Sequence, residues 1–156
     1  MIQRKQTLYL LASGILMLLT ILLAIAKVTT TDMVYSMNAM GFEDLSEELI
    51  RPTWGLFGLT ILMVLISFIS IFLYSKRVIQ RRITTFNLLL KIGFYVLVWI
   101  YMKDFINTVD GINENWIKNI TLFMGAPILA MIFDYLAARA IAIDEMTIRS
   151  INRLRK

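Results

Sequence analysis

The chain has no cysteine and no histidine in its 156 residues. Without thiols there is no disulfide, no thiolate nucleophile and no zinc–thiolate site. Without imidazole there is no histidine haem ligand, and the commonest general base is missing. Together these absences remove most familiar membrane redox enzymes. Proline is scarce, at two residues. Above all, long stretches lack charge: apolar residues make up 58% of the chain and arrive in blocks, with a mean hydropathy of +0.71. That pattern belongs to a membrane protein rather than to a soluble domain of this size.

The blocks define four spans, at about 8–27, 54–74, 86–102 and 117–141, followed by a basic amphipathic tail over 142–156. The expected fold is all-α, a single integral membrane four-helix bundle. The first uncharged run, Leu8–Ala26, gives ~28 Å of helix at ~1.5 Å per residue. Ala24-Ile25-Ala26 has the small-x-small form of a signal cleavage site, but the run exceeds the ~7–15 residues of a signal core, which favours a retained span. Val28–Thr53 reads as a polar outer loop with short helices, capped at Thr31 or Asp32 and again at Asp44 or Ser46, and with Pro52 in a first helical turn. Its acids Glu43, Asp44, Glu47 and Glu48 lack the alternating spacing and turn glycine of a calcium loop, so a solvated face is favoured.

The second span, Trp54–Tyr74, is bounded by interfacial aromatics. Lys76, Arg77, Arg81 and Arg82 follow in a linker free of Gly and Pro. Beside a span they read as orientation signals, not as a nucleic-acid patch. The third span contains Lys91, and a turn is expected at Asp110-Gly111 in the polar loop after it. The fourth contains Pro127, expected to kink it about two turns in, then Asp134 and Arg139. Asn119-Ile120-Thr121 matches the glycosylation pattern by chance at a span's edge.

Charge sets the topology. With both termini in the cytoplasm, the inside segments carry 11 basic residues and the outside loops four, Lys27, Arg51, Lys103 and Lys118. This is the positive-inside bias. Trp54, Trp99 and Trp116 then cluster at the outer interface.

A charge in mid-membrane costs about 2.5–3.5 kcal/mol on insertion scales, so Lys91 and Asp134 need a partner. Both lie ~7–10 Å from the cytoplasmic interface at ~1.5 Å per residue. Asn87, Lys91 and Tyr95 recur every fourth residue, as do Ala126, Ala130 and Asp134, which places each set on one helix face. A Lys91–Asp134 ion pair is expected, with Asn87 and Tyr95 as hydrogen-bond partners. A structural clamp, or a Lys91 that snorkels to the interface, is favoured over a proton or ion relay, because no titratable residue appears in the outer half.

Beyond the lipid, Ile148, Ile151 and Leu154 share one side of the tail, and Glu145, Arg149, Arg153 and Lys156 another. The tail either stands in the cytoplasm against Lys76–Thr85 or lies on the anionic surface. Interruption of its apolar side by Asp144 and Arg155 favours packing on protein.

Three stretches carry a family resemblance: MIQRKQTLYLLAS at the start, LYSKRVIQRRITTFNLLL in the centre and LAARAIAIDEMTIRSINRLR at the end. With them the chain resembles a family of small bacterial four-span membrane proteins, known chiefly from the Bacteroidota and catalogued as domain of unknown function 4293. The ending is the most specific part, with Asp144-Glu145 and Arg149-Ser150-Ile151-Asn152-Arg153-Leu154-Arg155 in family positions. Asn152 stands where the family usually has Asp, and Ala142-Ile143 where basic residues are common. The resemblance implies four spans and an inner-membrane location, and no activity.

The functional expectation is a non-catalytic inner-membrane protein, without cofactor or metal, that works through contacts. Its docking face comprises Lys76, Arg77, Arg81, Arg82, Asp144, Glu145, Arg149, Arg153 and Arg155. The partners are the bilayer and an anionic lipid or a protein, with a homo-oligomer as a further option and no nucleic acid. The alternative is a small oligomeric transporter or channel component that uses Asn87, Lys91, Tyr95 and Asp134. An enzyme acting on lipid is disfavoured because no nucleophile–base pair is present.

Overall fold

The computed structural model describes residues 5–29, 34–44, 48–108 and 122–154. The side chains of 28–29, 122–123, 148–149 and 151–154 lie outside that description. Four helices dominate: α1 (Lys5–Leu22), α2 (Trp54–Phe72), α3 (Arg77–Thr108) and α4 (Ala126–Leu154). Each is long and apolar enough to cross a membrane. In lipid a segment must satisfy its own backbone hydrogen bonds, so long apolar runs become helices. Packing runs in a ring, with α1 against α2 and α4, and α3 against α2 and α4.

On α3 the buried residues are Gln80, Thr84, Asn87, Lys91, Phe94, Val98, Met102 and Phe105. Steps of three and four keep them on one face. On α2, apolar almost throughout, the buried face is marked instead by Thr60, Ser67 and Ser70. Their hydroxyls donate to the carbonyls of Leu56, Met63 and Ile66, at 2.7, 3.1 and 2.7 Å. Small self-satisfied hydroxyls let helices approach closely, while Ile61, Leu62, Leu65 and Ile69 point outward to where lipid lies. Gly14 of α1 takes part in this close approach, facing Ser67 and Phe68.

The segment between α1 and α2 departs from expectation. Instead of short helices its described residues form a four-stranded antiparallel meander, β1 (Ala26–Thr29), β2 (Val34–Met37), β3 (Gly41–Glu43) and β4 (Leu49–Pro52), in chain order, while the expected caps Thr31, Asp32 and Ser46 lie outside the described residues. Strands of three or four residues are too short to display a period of two, so the sequence carries no strand signal there. The sheet exists because it seats apolar side chains on the helix ends. Met37 and Phe42 are buried, and the Phe42 ring stacks on Phe105 of α3 with centroids 3.9 Å apart. Gly41 lies so close to the Arg51 carbonyl that a Cβ would collide with it. Pro52 ends an edge strand, where its missing N–H costs nothing, rather than opening a helix. Thr53 joins sheet to helix: its hydroxyl donates to Ala39 O at 3.0 Å, and its carbonyl accepts from Leu56 and Phe57.

Two helices differ from their expected spans. α3 runs nine residues ahead of position 86 and six beyond 102, so Arg77, Arg81 and Arg82 sit on its first turns and only Leu73–Lys76 turns the chain. α4 begins at Ala126 after a short 3-10 turn at Leu122–Gly125. Pro127 therefore occupies the first turn, where proline is tolerated, and does not kink the helix interior. Trp116, the Asp110-Gly111 turn and Asn119 fall outside the described residues. At ~1.5 Å per residue α3 and α4 exceed a ~30 Å hydrocarbon core. They project together at the end opposite the sheet, called here the basic end.

Candidate functional site

The interior is divided along the bundle axis. On the sheet side the buried side chains are mainly apolar, Met17, Leu56, Met63, Phe94, Val98 and Ala130 among them, and the buried hydroxyls of Thr20 and Thr60 bond carbonyls of their own helices. On the basic side buried polar groups are more frequent, Ser13, Ser67, Gln80, Thr84, Asn87 and Asp134 among them, beside apolar Leu10, Ala137 and Ile141. Lys91 and Asp134 stand at the boundary.

The Lys91 ammonium donates to Asp134 Oδ2 at 2.5 Å and to Ser13 Oγ at 2.6 Å, and both charged side chains are fully buried. Asn87 Nδ2 donates to the same Asp134 oxygen at 3.0 Å and to Ser67 Oγ at 2.9 Å. The Ser67 hydroxyl passes its own hydrogen to Met63 O. One polar layer thus ties together all four helices, α1 through Ser13, α2 through Ser67, α3 through Asn87 and Lys91, and α4 through Asp134. Lys91 reaches across the bundle, since α3 packs on α2 and α4 rather than on α1. Desolvating two charges costs several kcal/mol each, which the attraction offsets only with close geometry and further hydrogen bonds. Here two neutral groups, Ser13 and Asn87, supply those bonds, and Ser67 holds Asn87 in place. Two oxygens stay unmatched: Asp134 Oδ1 and Asn87 Oδ1 are buried and accept nothing among the described residues.

Tyr95 is not part of the layer. Its hydroxyl donates to Met124 O at 2.6 Å, fixing the 3-10 turn before α4. The spacing of Asn87, Lys91 and Tyr95 gives them a common face but not a common depth, and two turns separate Tyr95 from Asn87. Conversely, Ser13 and Ser67 were missed. Small hydroxyl residues in an apolar span are common, and only the packing says which of them meet a charge.

At the basic end α3 and α4 are joined by charge. Arg81 pairs with Glu145 at 3.3 Å, and Arg77 donates to the Asp144 carbonyl at 3.4 Å. Gln6 of α1 donates to Asp144 Oδ2 and, at 3.2 Å, to Ala140 O. Gln80 donates to Ser70 O at 2.9 Å, closing the α2–α3 turn. Of the expected docking face, then, Arg77, Arg81, Asp144 and Glu145 engage within the bundle. Lys76 and Arg82 are exposed, as are Lys5 and Arg139. Arg149 and Arg153 lie on the helical continuation of α4 with side chains outside the described residues, and Arg155 lies beyond them. The tail continues α4 and stands against the start of α3. Placing cations in the first turn of α3 opposes the helix dipole by ~0.3–1 kcal/mol each, so their position there answers to something other than helix stability. Among the described residues no group of three or more His, Cys, Asp or Glu side chains gathers to hold a metal ion.

A family model described as domain of unknown function (DUF4293) matches residues 2–154. The chain belongs to that family. Comparison with curated proteins and with solved structures finds no match.

Proposed function

We propose that this member of the DUF4293 family is a non-catalytic protein of the inner membrane, with both termini in the cytoplasm, that acts by contact through its basic end. The carrying observation is the division of charge at that end. The Asp144 carboxylate is taken up by Gln6 and that of Glu145 by Arg81, and Arg77 turns in to the Asp144 backbone carbonyl, while Lys5, Lys76, Arg82 and Arg139 remain on the outer surface. The outward surplus is cationic and lies where apolar helices leave lipid, which suits anionic phospholipid headgroups. Each such residue is worth ~1 kcal/mol at an anionic surface.

The test is lipid analysis of the protein extracted gently from native membranes. Anionic phospholipid is expected to be enriched over the bulk membrane, with the enrichment lost in Lys76→Gln/Arg82→Gln/Arg139→Gln. Enrichment unchanged by these substitutions overturns the reading, and a stoichiometric co-purifying protein moves the docking role to that partner. Transport through Lys91 and Asp134 is the weaker reading, because all four helices hold the pair and the sheet-side interior beyond it is mainly apolar.

A further inference from the structure

Among the described residues, the buried side-chain polar atoms that lack a partner in the bundle core are of one kind. Asn87 Oδ1, Asp134 Oδ1 and Gln80 Oε1 are all acceptors. A buried acceptor without a donor costs ~1–3 kcal/mol, so three on one seam call for a common source of hydrogens. Rotating the Asn87 amide is no remedy, since it would forfeit the bonds to Ser67 and Asp134. Because Asn87 Nδ2 already touches Asp134 Oδ2, the two unmatched oxygens of these side chains belong to one locus. There they adjoin the Lys91 ammonium, which has three hydrogens and spends one each on Ser13 and Asp134. Gln80 Oε1 lies seven residues towards the basic end on the same face of α3, ~10 Å away along the axis. Buried Thr84 stands between, with Ser70 across on α2. Hydroxyl oxygens there can accept further bonds.

We propose that the bundle core takes up water from its basic end, in a file that passes Gln80 and Thr84 and stops on Asn87 and Asp134. Water donates two hydrogens, and a buried water typically makes about three hydrogen bonds to such groups. An anion would face the Asp134 carboxylate and unmatched acceptor oxygens, and a metal cation would face the Lys91 ammonium. The file ends at the pair because the next buried side chains are Met17, Met63, Phe94 and Val98, which offer water nothing, and the hydroxyls of Thr20 and Thr60 already donate to carbonyls of their own helices. The inference holds whichever side of the membrane the basic end faces, and it is independent of the lipid contacts proposed above.

Water-edited solid-state NMR on the full chain in bilayers tests it, with bulk water itself as the probe. Magnetisation is expected to reach the side-chain carbonyl carbons of Asn87 and Asp134 severalfold faster than the rings and methyls of Phe94 and Val98. In Gln80→Leu/Thr84→Val, which keeps volume and removes the polar file, the transfer to Asn87 and Asp134 should slow severalfold. Transfer to Asn87 and Asp134 no faster than to Phe94 in the unaltered protein overturns the proposal. So does unchanged transfer in the folded double variant, which would mean that water arrives by another route.

Discussion

Lys91 and Asp134 show why a buried charge must be judged with its neighbours. Each is a liability alone in hydrocarbon, yet with Ser13, Asn87 and Ser67 the pair forms a connected donor–acceptor set that leaves two oxygens and one Lys91 hydrogen to be matched. Removing one partner leaves the other charge buried and uncompensated, at a cost of about 3–5 kcal/mol. Lys91→Met and Asp134→Leu are each expected to lose that much in reversible unfolding, and the double variant less than their sum. Additive losses would show that the two charges do not sense one another. Asn87→Ala should cost about 1–3 kcal/mol by the same assay, because it strips donors from Asp134 and Ser67 together. A loss within error for Asn87→Ala would remove it from the layer. Tyr95 belongs to a different structure, the Met124 turn, although it shares a helix face with Lys91.

Among the elements, the meander is the one whose stability is borrowed. Strands of three or four residues cannot stand alone, and this sheet is held down by Phe42 on Phe105, Tyr35 edge-on to the same ring, and the Thr53 bonds. An ion pair between Arg51 and Asp104, 2.7 Å but exposed on both sides, adds little. Phe42→Ala is therefore expected to cost about 3–5 kcal/mol of local stability. Read by hydrogen exchange, it should raise exchange across 34–44 and 48–52 while leaving amides around Asn87 and Asp134 protected. Loss of protection in both places would mean that sheet and polar layer unfold as one unit. At the opposite end, α4 outlasts the lipid because neither Gly nor Pro interrupts it after Pro127, and Arg77, Arg81 and Gln6 give it a wall to stand against.

For the whole molecule, the axial gradient of the core, mainly apolar towards the sheet and more polar towards the basic end, matches the division of charge along the chain. The end with cations outside is also the end with polar groups inside. Native absence of cysteine makes the orientation directly testable. A single cysteine at Arg82 should react with a membrane-impermeant thiol reagent only when the cytoplasmic face is accessible, and one at Glu48 only from the outside. Reversed labelling would invert the proposed topology while leaving the fold intact.

By itself the sequence determined the four apolar helices, the place of the cations at one end, and the common face and depth of Lys91 and Asp134. All of these follow from local properties, namely run length, charge distribution and the 3.6-residue period. Even the join of tail to α3 was half legible, in the uninterrupted helix. Tertiary structure alone decided the rest. Ser13 and Ser67 acquire meaning only when α1 and α2 bring them to the charges of α3 and α4, and Tyr95 loses its place in the layer only once depth is added to face. The segment between α1 and α2 became a sheet rather than short helices because Met37 and Phe42 gain more from covering the helix ends than local propensity could supply.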